Sequence, residues 1–460
     1  MTGYALMIPE LLLVLAAAWA LFAERLPGGD RGAAGVGVIL SSAAAAAAAL
    51  APVGETLFGG ALVYDGPARF TRTGVAVIAA VWFLWTAGSA RGRIREAVAL
   101  AAISAVGAML MTEASEMIVL VLALELATMP AYVLIGYRRA RLDGLEGALK
   151  YFLLSMLTSL VMLYGMSFLY GVSGSSMFSE IDLSGAGSLG LIAALFAFVG
   201  LFAKLSAAPF HYWAPDAYEG AEPWMVSFVS TVPKVAGALA LVRLAGAVVP
   251  TAPMIPAVLV AVAVASMVLG NLAALTQTDV RRMMAYSGVA HTGYLLLGVA
   301  AATSAGYAAA IFYSMAYALP SLGVMLVAAD EGATLGDFGG LVQRRAITAW
   351  MVVFMLISLV GIPPLAGFFG KLYLFSAAIG EGLWVWVVVA VLTSVVSAGY
   401  YLRIVHASFF GEPTERSERT DADSEYSVAG AVAIVACAAL ALALGLGAGP
   451  MMSWLGIPLG

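Results

Sequence analysis

Long apolar runs alternate with short polar gaps along the whole chain, and most of the runs have one length. A helix needs about twenty apolar residues to cross ~30 Å of hydrocarbon. Runs of that kind recur over 4–24, 33–54, 70–90, 96–112, 116–137, 147–172, 188–210, 222–246, 254–275, 281–301, 304–329, 346–378, 383–409 and 427–448. The pattern predicts an all-α polytopic membrane protein of about fourteen transmembrane helices, with no loop large enough for a soluble domain. The first run, IPELLLVLAAAWALF, carries an acid where a signal peptide would carry a basic flank, so it reads as a retained helix.

Two runs are interrupted. One reads LFAKLSAAPFHYWAPDAYEG, with Pro209 and Pro215 just beyond Lys204, and the other ISLVGIPPLAGFFGKLYLF, with Pro363 and Pro364 just before Lys371. Proline removes a backbone donor, which lipid tolerates only where protein or water satisfies the freed groups. Broken helices in corresponding places of two halves point to inverted repeats around a transport site. The prolines follow the lysine in one copy and precede it in the other, as inversion requires. The expected organisation is N-terminal helices over 1–95, one five-helix repeat over 96–246, a second inverted repeat over 254–409, and a C-terminal helix over 427–448.

Loop charge predicts orientation. Arg25 and Arg31, then Arg91, Arg93 and Arg95, then Arg138, Arg139 and Arg141 follow odd-numbered helices, as do Arg281, Arg282, Arg344, Arg345, Arg403, Arg416 and Arg419. The opposite loops have only Arg69 and Arg72, with Arg243 near a helix end. By the positive-inside rule the odd loops are cytoplasmic and both termini lie on the outer side of a bacterial or archaeal cell membrane. The polar stretch 411–427 reads as a solvated loop.

Composition narrows the function. The chain is 62% hydrophobic and 11% charged, where a soluble domain would be about one quarter charged. A net charge of −5 without a basic patch gives no footprint for nucleic acid. The single Cys437, inside AIVACAALAL, excludes a disulfide framework and a Cys-ligated cluster and reads as core. His211, His291 and His406 are too far apart for metal-ligand spacing, so no metal and no bound cofactor are expected.

The charges inside the runs carry the functional signal. Only four lysines stand against eighteen arginines. A GC-rich coding bias explains the ratio but not the placement: Lys204, Lys234 and Lys371 lie roughly mid-way along apolar segments, and Glu125 does the same in VLVLALELATMPAYVLIGY. At 1.5 Å per residue, Glu125 is about 14 Å deep and Lys234 about 18 Å. A charge at that depth costs on the order of 3 kcal/mol, and each Leu or Val returns about 0.3–0.6. One charge per helix is therefore tolerated if it faces the protein interior, with Glu125 and Lys234 expected to pair. A static ion pair would be served by Arg, which never gives up its proton and grips carboxylate with two bonds. A buried lysine can release its proton, and a nearby glutamate can favour its return. Three lysines and a glutamate at one depth favour a proton path over a structural clamp.

Other residues have two readings each. His291, in RRMMAYSGVAHTGYLLLG, suits a proton relay or a hydrogen-bonded structural role. Lys150 lies near the cytoplasmic end, where snorkelling explains it equally well. His211 in the first broken segment, and Arg403 with His406 on one helix face, are secondary candidates for proton transfer. Glu10 follows Pro9 and reads as a helix-start charge, while Asp216 and Glu219 read as lining or capping the first broken helix.

The strings KLSAAPFHYWAPDAYEGAEP (204–223), VPKVAGALALVR, TQTDVRRMMAYSGVAHTGYLLLG (276–298) and GIPPLAGFFGKLYLF (361–375) resemble the antiporter-like subunits of respiratory complex I. The Tyr-Glu-Gly after Pro-Asp, with LKYFLLSMLTSLVMLYGMSFLYG (149–171), is most similar to the chain N family of NADH:quinone oxidoreductases. The resemblance runs in order from about residue 96 to 410 and is weak in the first three helices and the last. One departure is Ala-Glu-Pro at 221–223, where the family pattern has a shorter Ala-Pro. The resemblance implies fourteen helices, two inverted five-helix repeats each holding half a proton channel, Glu125 modulating Lys204, Lys234 as central relay, Lys371 leading outward and His291 on the polar axis. It also implies neighbouring membrane-arm subunits as partners, and NADH and quinone used by other subunits. The same broken-helix motifs occur in multisubunit cation/proton antiporters and membrane-bound hydrogenases, which stand as the alternative reading. A membrane scaffold with structural charges is the second.

Overall fold

In hydrocarbon a backbone has to satisfy its own polar groups, so each apolar run closes into a helix. The computed structural model of the protein describes residues 3–22, 29–89, 93–138, 142–413 and 427–455. Arg25, Arg91, Arg139, Arg141, Arg416 and Arg419 lie outside the described residues, as does most of the polar stretch 411–427. The helices are α1 (Ile8–Phe22), α2 (Gly29–Leu50), α3 (Gly66–Gly88), α4 (Ile94–Glu113), α5 (Met117–Ile135), α6 (Leu142–Ser173), α7 (Gly187–Leu205), α8 (Trp213–Gly220), α9 (Pro223–Val229) and α10 (Val232–Val248). They continue as α11 (Ile255–Leu275), α12 (Val280–Ala300), α13 (Ser304–Glu331), α14 (Leu341–Arg344), α15 (Ala346–Val360), α16 (Ala366–Gly380), α17 (Trp384–Phe410), α18 (Val428–Leu446) and α19 (Ala448–Trp454).

Twelve helices among the described residues are long and apolar enough to cross a bilayer, α9 and α10 counting together. The other two expected spans are present in altered form. Helix α12 is less apolar because it carries Arg281, Arg282 and His291, yet it is buried along nearly its whole length. The run 346–378 is divided into α15 and α16, each shorter than a full span.

Several expectations shift by a few residues or fail, each for a local reason. Helix α3 starts before residue 70, because the Asp65 side chain accepts from the Ala68 amide at 2.8 Å and Pro67 occupies the first turn. Arg69 and Arg72, taken as loop charges, therefore lie inside α3. Pro215 does not break a helix: it sits in the first turn of α8, where no donor is needed. The chain is not wholly helical either. Between α2 and α3, β1 (Glu55–Leu57) pairs antiparallel with β2 (Leu62–Tyr64), across a turn in which Gly59 and Gly60 take φ of 68° and 94°. A hairpin of three-residue strands is too short to register in a periodicity reading.

Helix α13 is the pillar of the bundle. Its most apolar window is 100% buried, and it packs against α9, α10, α12, α15, α16 and α18. Around it, neighbouring helices approach backbone to backbone where a glycine leaves room, the packing mode favoured when lipid supplies no hydrophobic drive. A Cβ on Gly107 of α4 would lie 2.3 Å from the Ala127 nitrogen of α5, and one on Gly270 of α11 would lie 2.5 Å from the Ala290 nitrogen of α12. These two contacts fix the helices that carry Glu125 and His291. Gly107→Ala should therefore destabilise the protein by about 1–3 kcal/mol through overpacking. Gly171→Ala, in α6 with nothing within 4 Å of the added carbon, should be neutral or stabilising by up to about 1 kcal/mol. Thermal unfolding of the two purified variants checks the contrast, and equal losses would refute it.

Candidate functional site

Each of the three buried lysines is found where a helix is interrupted. Helix α7 ends at Leu205 because Ser206 turns into the left-handed region with φ 61°, leaving Lys204 in the last turn. Helix α15 ends the same way at Gly361, φ 95°. In both cases a proline follows three residues after the left-handed residue, Pro209 and Pro364. The third interruption was not anticipated: α9 stops at Val229 and α10 begins at Val232, with Pro233 in its first turn and Lys234 next. The run FVSTVPKVAGALALV looks continuous in sequence because a proline at a helix start does not disturb the apolar count.

Lys204, Lys234 and Lys371 are 5%, 5% and 6% exposed, and each ammonium meets different groups. Lys204 Nζ donates to Thr128 Oγ1 at 2.7 Å and to the Tyr151 hydroxyl at 3.3 Å. Lys371, on α16, reaches back to the break after α15 and donates to the Val360 carbonyl at 2.7 Å, the Leu359 carbonyl at 3.1 Å and Ser394 Oγ at 2.7 Å. These carbonyls are among those a helix end leaves free, and they sit at the negative end of the α15 dipole. Lys234 Nζ has no hydrogen-bond partner and lies between the rings of Tyr218 and Tyr317, at 5.8 and 5.9 Å.

Beside Lys234 is a small cavity of about 20 Å³ lined by Gly288, His291, Tyr313, Ser314 and Tyr317 among others, room for about one water molecule. His291 crosses from this cavity toward α17. Its Nδ1 is 2.7 Å from the Tyr313 hydroxyl and its Nε2 is 3.2 Å from that of Tyr401, which in turn meets Ser287 Oγ at 2.5 Å. The Tyr294 ring lies 5.0 Å from Lys371 Nζ, and the Tyr294 hydroxyl takes a 3.0 Å bond from Asn271. Electrostatic contact follows the same order: Glu125 and Lys234 act on Lys204, and Lys234 and Lys371 act on His291. Glu125, Lys204, Lys234, His291 and Lys371 thus form one buried file.

The expected ion pair between Glu125 and Lys234 is not formed. Both Glu125 carboxylate oxygens are buried without a hydrogen-bond partner, and the lysine within reach of their charge is Lys204. Equal depth on two helices does not fix which way each side chain points. The secondary candidates lie elsewhere. Lys150 is 43% exposed and pairs with Asp216 at 2.7 Å and Glu146 at 2.8 Å. Asp216 and Glu219 lie in α8, Asp216 in its first turn, and they also receive Arg282 at 2.8 and 2.7 Å, so with Lys150 they form a surface ion network. His211 is buried with Nδ1 unpartnered, beside the rings of Tyr212 and Tyr286. Arg403 donates to the Leu275 carbonyl while the His406 ring lies tilted against Phe410, so the two do not act as a pair. Glu10 lies in the first turn of α1, as read, and it also meets Arg72 inside the bundle, both nearly inaccessible.

Sequence reasoning missed the hydroxyl groups that surround the file, Thr128, Tyr151, Tyr313, Tyr317, Tyr401 and Ser394. The available signal was tyrosine inside apolar spans, where its hydroxyl needs a partner. Cys437 is buried in α18, as read. Among the described residues no group of three His, Cys, Asp or Glu side chains could hold a metal.

Residues 114–397 match the family described as NADH:quinone oxidoreductase/Mrp antiporter, TM. The chain is 38% identical over 434 residues to NADH-quinone oxidoreductase subunit N of Laribacter hongkongensis, covering 88% of each chain. It is 35% identical over 395 residues to the subunit N of Rhodospirillum rubrum, covering 82% of this chain and 81% of that protein. Among solved structures, a chain of respiratory complex I from Thermus thermophilus with bound aureothin superposes with TM-score 0.83 at 31% identity, over 97% of this chain and 98% of that one. A chain of the Mrp complex from Dietzia sp. DQ12-45-1b gives TM-score 0.86 at 22% identity, over 99% and 97% of the two chains, a likeness of fold alone.

Gly288 leaves the space that Lys234 occupies. A Cβ there would lie 2.8 Å from both Lys234 Nζ and the Tyr317 hydroxyl, two flexible ends that can move. Gly288→Ala should change stability by less than about 1.5 kcal/mol while displacing the Lys234 amine and filling the cavity. Thermal unfolding and a structure of the variant test this; an unmoved lysine would contradict it.

Proposed function

The chain belongs to the NADH:quinone oxidoreductase/Mrp antiporter membrane family, and on that premise we propose that it is an antiporter-like membrane-arm subunit of a complex I-like NADH:quinone oxidoreductase that moves protons. The observation that carries this reading is the buried file of Glu125, Lys204, Lys234, His291 and Lys371. No member of it is locked in an ion pair with another, so each is free to change its proton occupancy. Glu125 modulates Lys204, Lys234 is the central relay, His291 and its tyrosines bridge to Lys371, and Lys371 leads toward the outer side. An arginine in any of these places could not release the proton it holds.

The two halves, 96–246 and 254–409, act as inverted repeats. In support, α7 and α15 end on the same device, a left-handed residue followed three positions later by proline. The lysine that meets the break lies before it in one half and beyond it in the other. The excess of arginine in the odd-numbered loops supports a cytoplasmic placement of those loops and termini on the outer side of a bacterial or archaeal inner membrane. Redox chemistry belongs to partner subunits, which use NADH and quinone; this chain binds no cofactor and contributes only the membrane path. Exposed leucines on α6, Leu149, Leu153, Leu157 and Leu160 among them, suit lipid and a neighbouring membrane-arm subunit.

Substitution of Lys234 by Met and by Arg tests the assignment, with assembly, quinone reduction and proton pumping measured separately in membranes. Both variants should assemble and lose pumping several-fold. Normal pumping with either residue would sink the proton-relay reading, and failure of both to assemble would favour a scaffold.

A further inference from the structure

Away from the lysine file, three ionisable side chains meet at the end of the bundle that carries the β1–β2 hairpin. Glu10 of α1, Arg72 of α3 and Glu113 of α4 are 2%, 0% and 0% exposed. Arg72 Nη2 donates to Glu10 Oε2 at 2.8 Å and to the Leu6 carbonyl at 2.7 Å. Its Nε donates to Glu10 Oε1 at 3.0 Å and is also in ion-pair contact with Glu113 Oε1. Two carboxyl groups therefore converge on one N–H. Arg72 Nη1, both Glu113 oxygens and the Tyr64 hydroxyl lack any aligned hydrogen-bond partner, and the Tyr64 ring lies 4.8 Å from the guanidinium.

The surrounding charges do not balance the cluster. Arg243, arriving from α10, donates to the Thr112 carbonyl at 2.8 Å and is committed to Asp65 at 2.9 Å. Arg69, on α3, is turned to the Trp454 ring at 4.8 Å. Glu116 bonds Ser176. Two ionised carboxylates against one guanidinium would leave a net negative charge with almost no access to water, a state that burial strongly disfavours. Arginine cannot relieve it, because it holds its proton throughout. A proton on one acid removes the excess charge and turns two repelling carboxylates into a donor and an acceptor, as in other close acid pairs.

We propose that Glu10 and Glu113 share a single proton over Arg72, which makes this cluster a buried proton-binding site separate from the lysine file. The proton belongs to the pair and not to either residue. Infrared spectroscopy of the assembled complex in its membrane, without turnover, reads such a proton as a carboxylic-acid C=O band that shifts in D2O. Glu10→Gln and Glu113→Gln each leave one carboxylate to pair with Arg72, so each variant should assemble and lose the same wild-type acid band. Persistence of the full wild-type acid signal in either variant would overturn the proposal. So would failure of both to assemble, since that would mean both charges are required. If only one variant assembles, its spectrum decides in the same way. None of these outcomes depends on whether the lysine file pumps protons.

Discussion

A helix that stops inside hydrocarbon exposes backbone groups that only protein can satisfy, and the buried lysines of this chain are placed at such stops. Lys204 closes α7, Lys234 opens α10, and Lys371 reaches the last carbonyls of α15. At the end of α15 the coupling works in both directions. An ammonium needs oxygen atoms where water is absent, and a broken helix offers them; free carbonyls need a donor, and a lysine supplies one. Without the break after α15, Lys371 would lose two of its three acceptors. Without the cations, the carbonyls freed after α15 would lose their donors.

The rest of the bundle holds these breaks in register. Helix α13, buried along its most apolar window, presents Tyr313 and Tyr317 toward the file. Helix α12, the least apolar of the spans, is among the most buried, because its polar face is turned inward and lipid never meets it. Close glycine contacts between α4 and α5 and between α11 and α12 leave Glu125 and His291 little room to drift. The polar path is therefore a property of helix positions, with side chains filling in the last few ångströms.

Much of this was legible in the sequence, and what was not has specific causes. The spans could be read because hydropathy is a bulk property of a run and does not depend on neighbours. Lys204, Lys234 and Lys371 could be singled out because a charge at mid-span is rare enough to demand a reason. The partners of those lysines could not be read, since Thr128, Tyr151 and Ser394 lie on other helices and are ordinary residues in their own runs. The false pairing of Glu125 with Lys234 came from matching depth without knowing rotation about the helix axis. The cluster of Glu10, Arg72 and Glu113 escaped because Arg72 was counted into a loop. Its partner Glu10 is 62 positions away, a separation across which one sequence carries no pairing signal.

Two of the three oxygens around Lys371 differ in kind from those around Lys204. Thr128 and Tyr151 meet Lys204 through hydroxyl groups, each of which can accept a hydrogen bond and then rotate to donate one. Val360 and Leu359 meet Lys371 through carbonyls, which can only accept. A proton leaving Lys204 leaves behind a set of bonds that can reverse direction and remain complete. A proton leaving Lys371 leaves an amine with two N–H groups for the two carbonyls, and only the Ser394 hydroxyl can turn to donate to it. One end of the file can reverse its bonds through either of two hydroxyls, and the other through a single one.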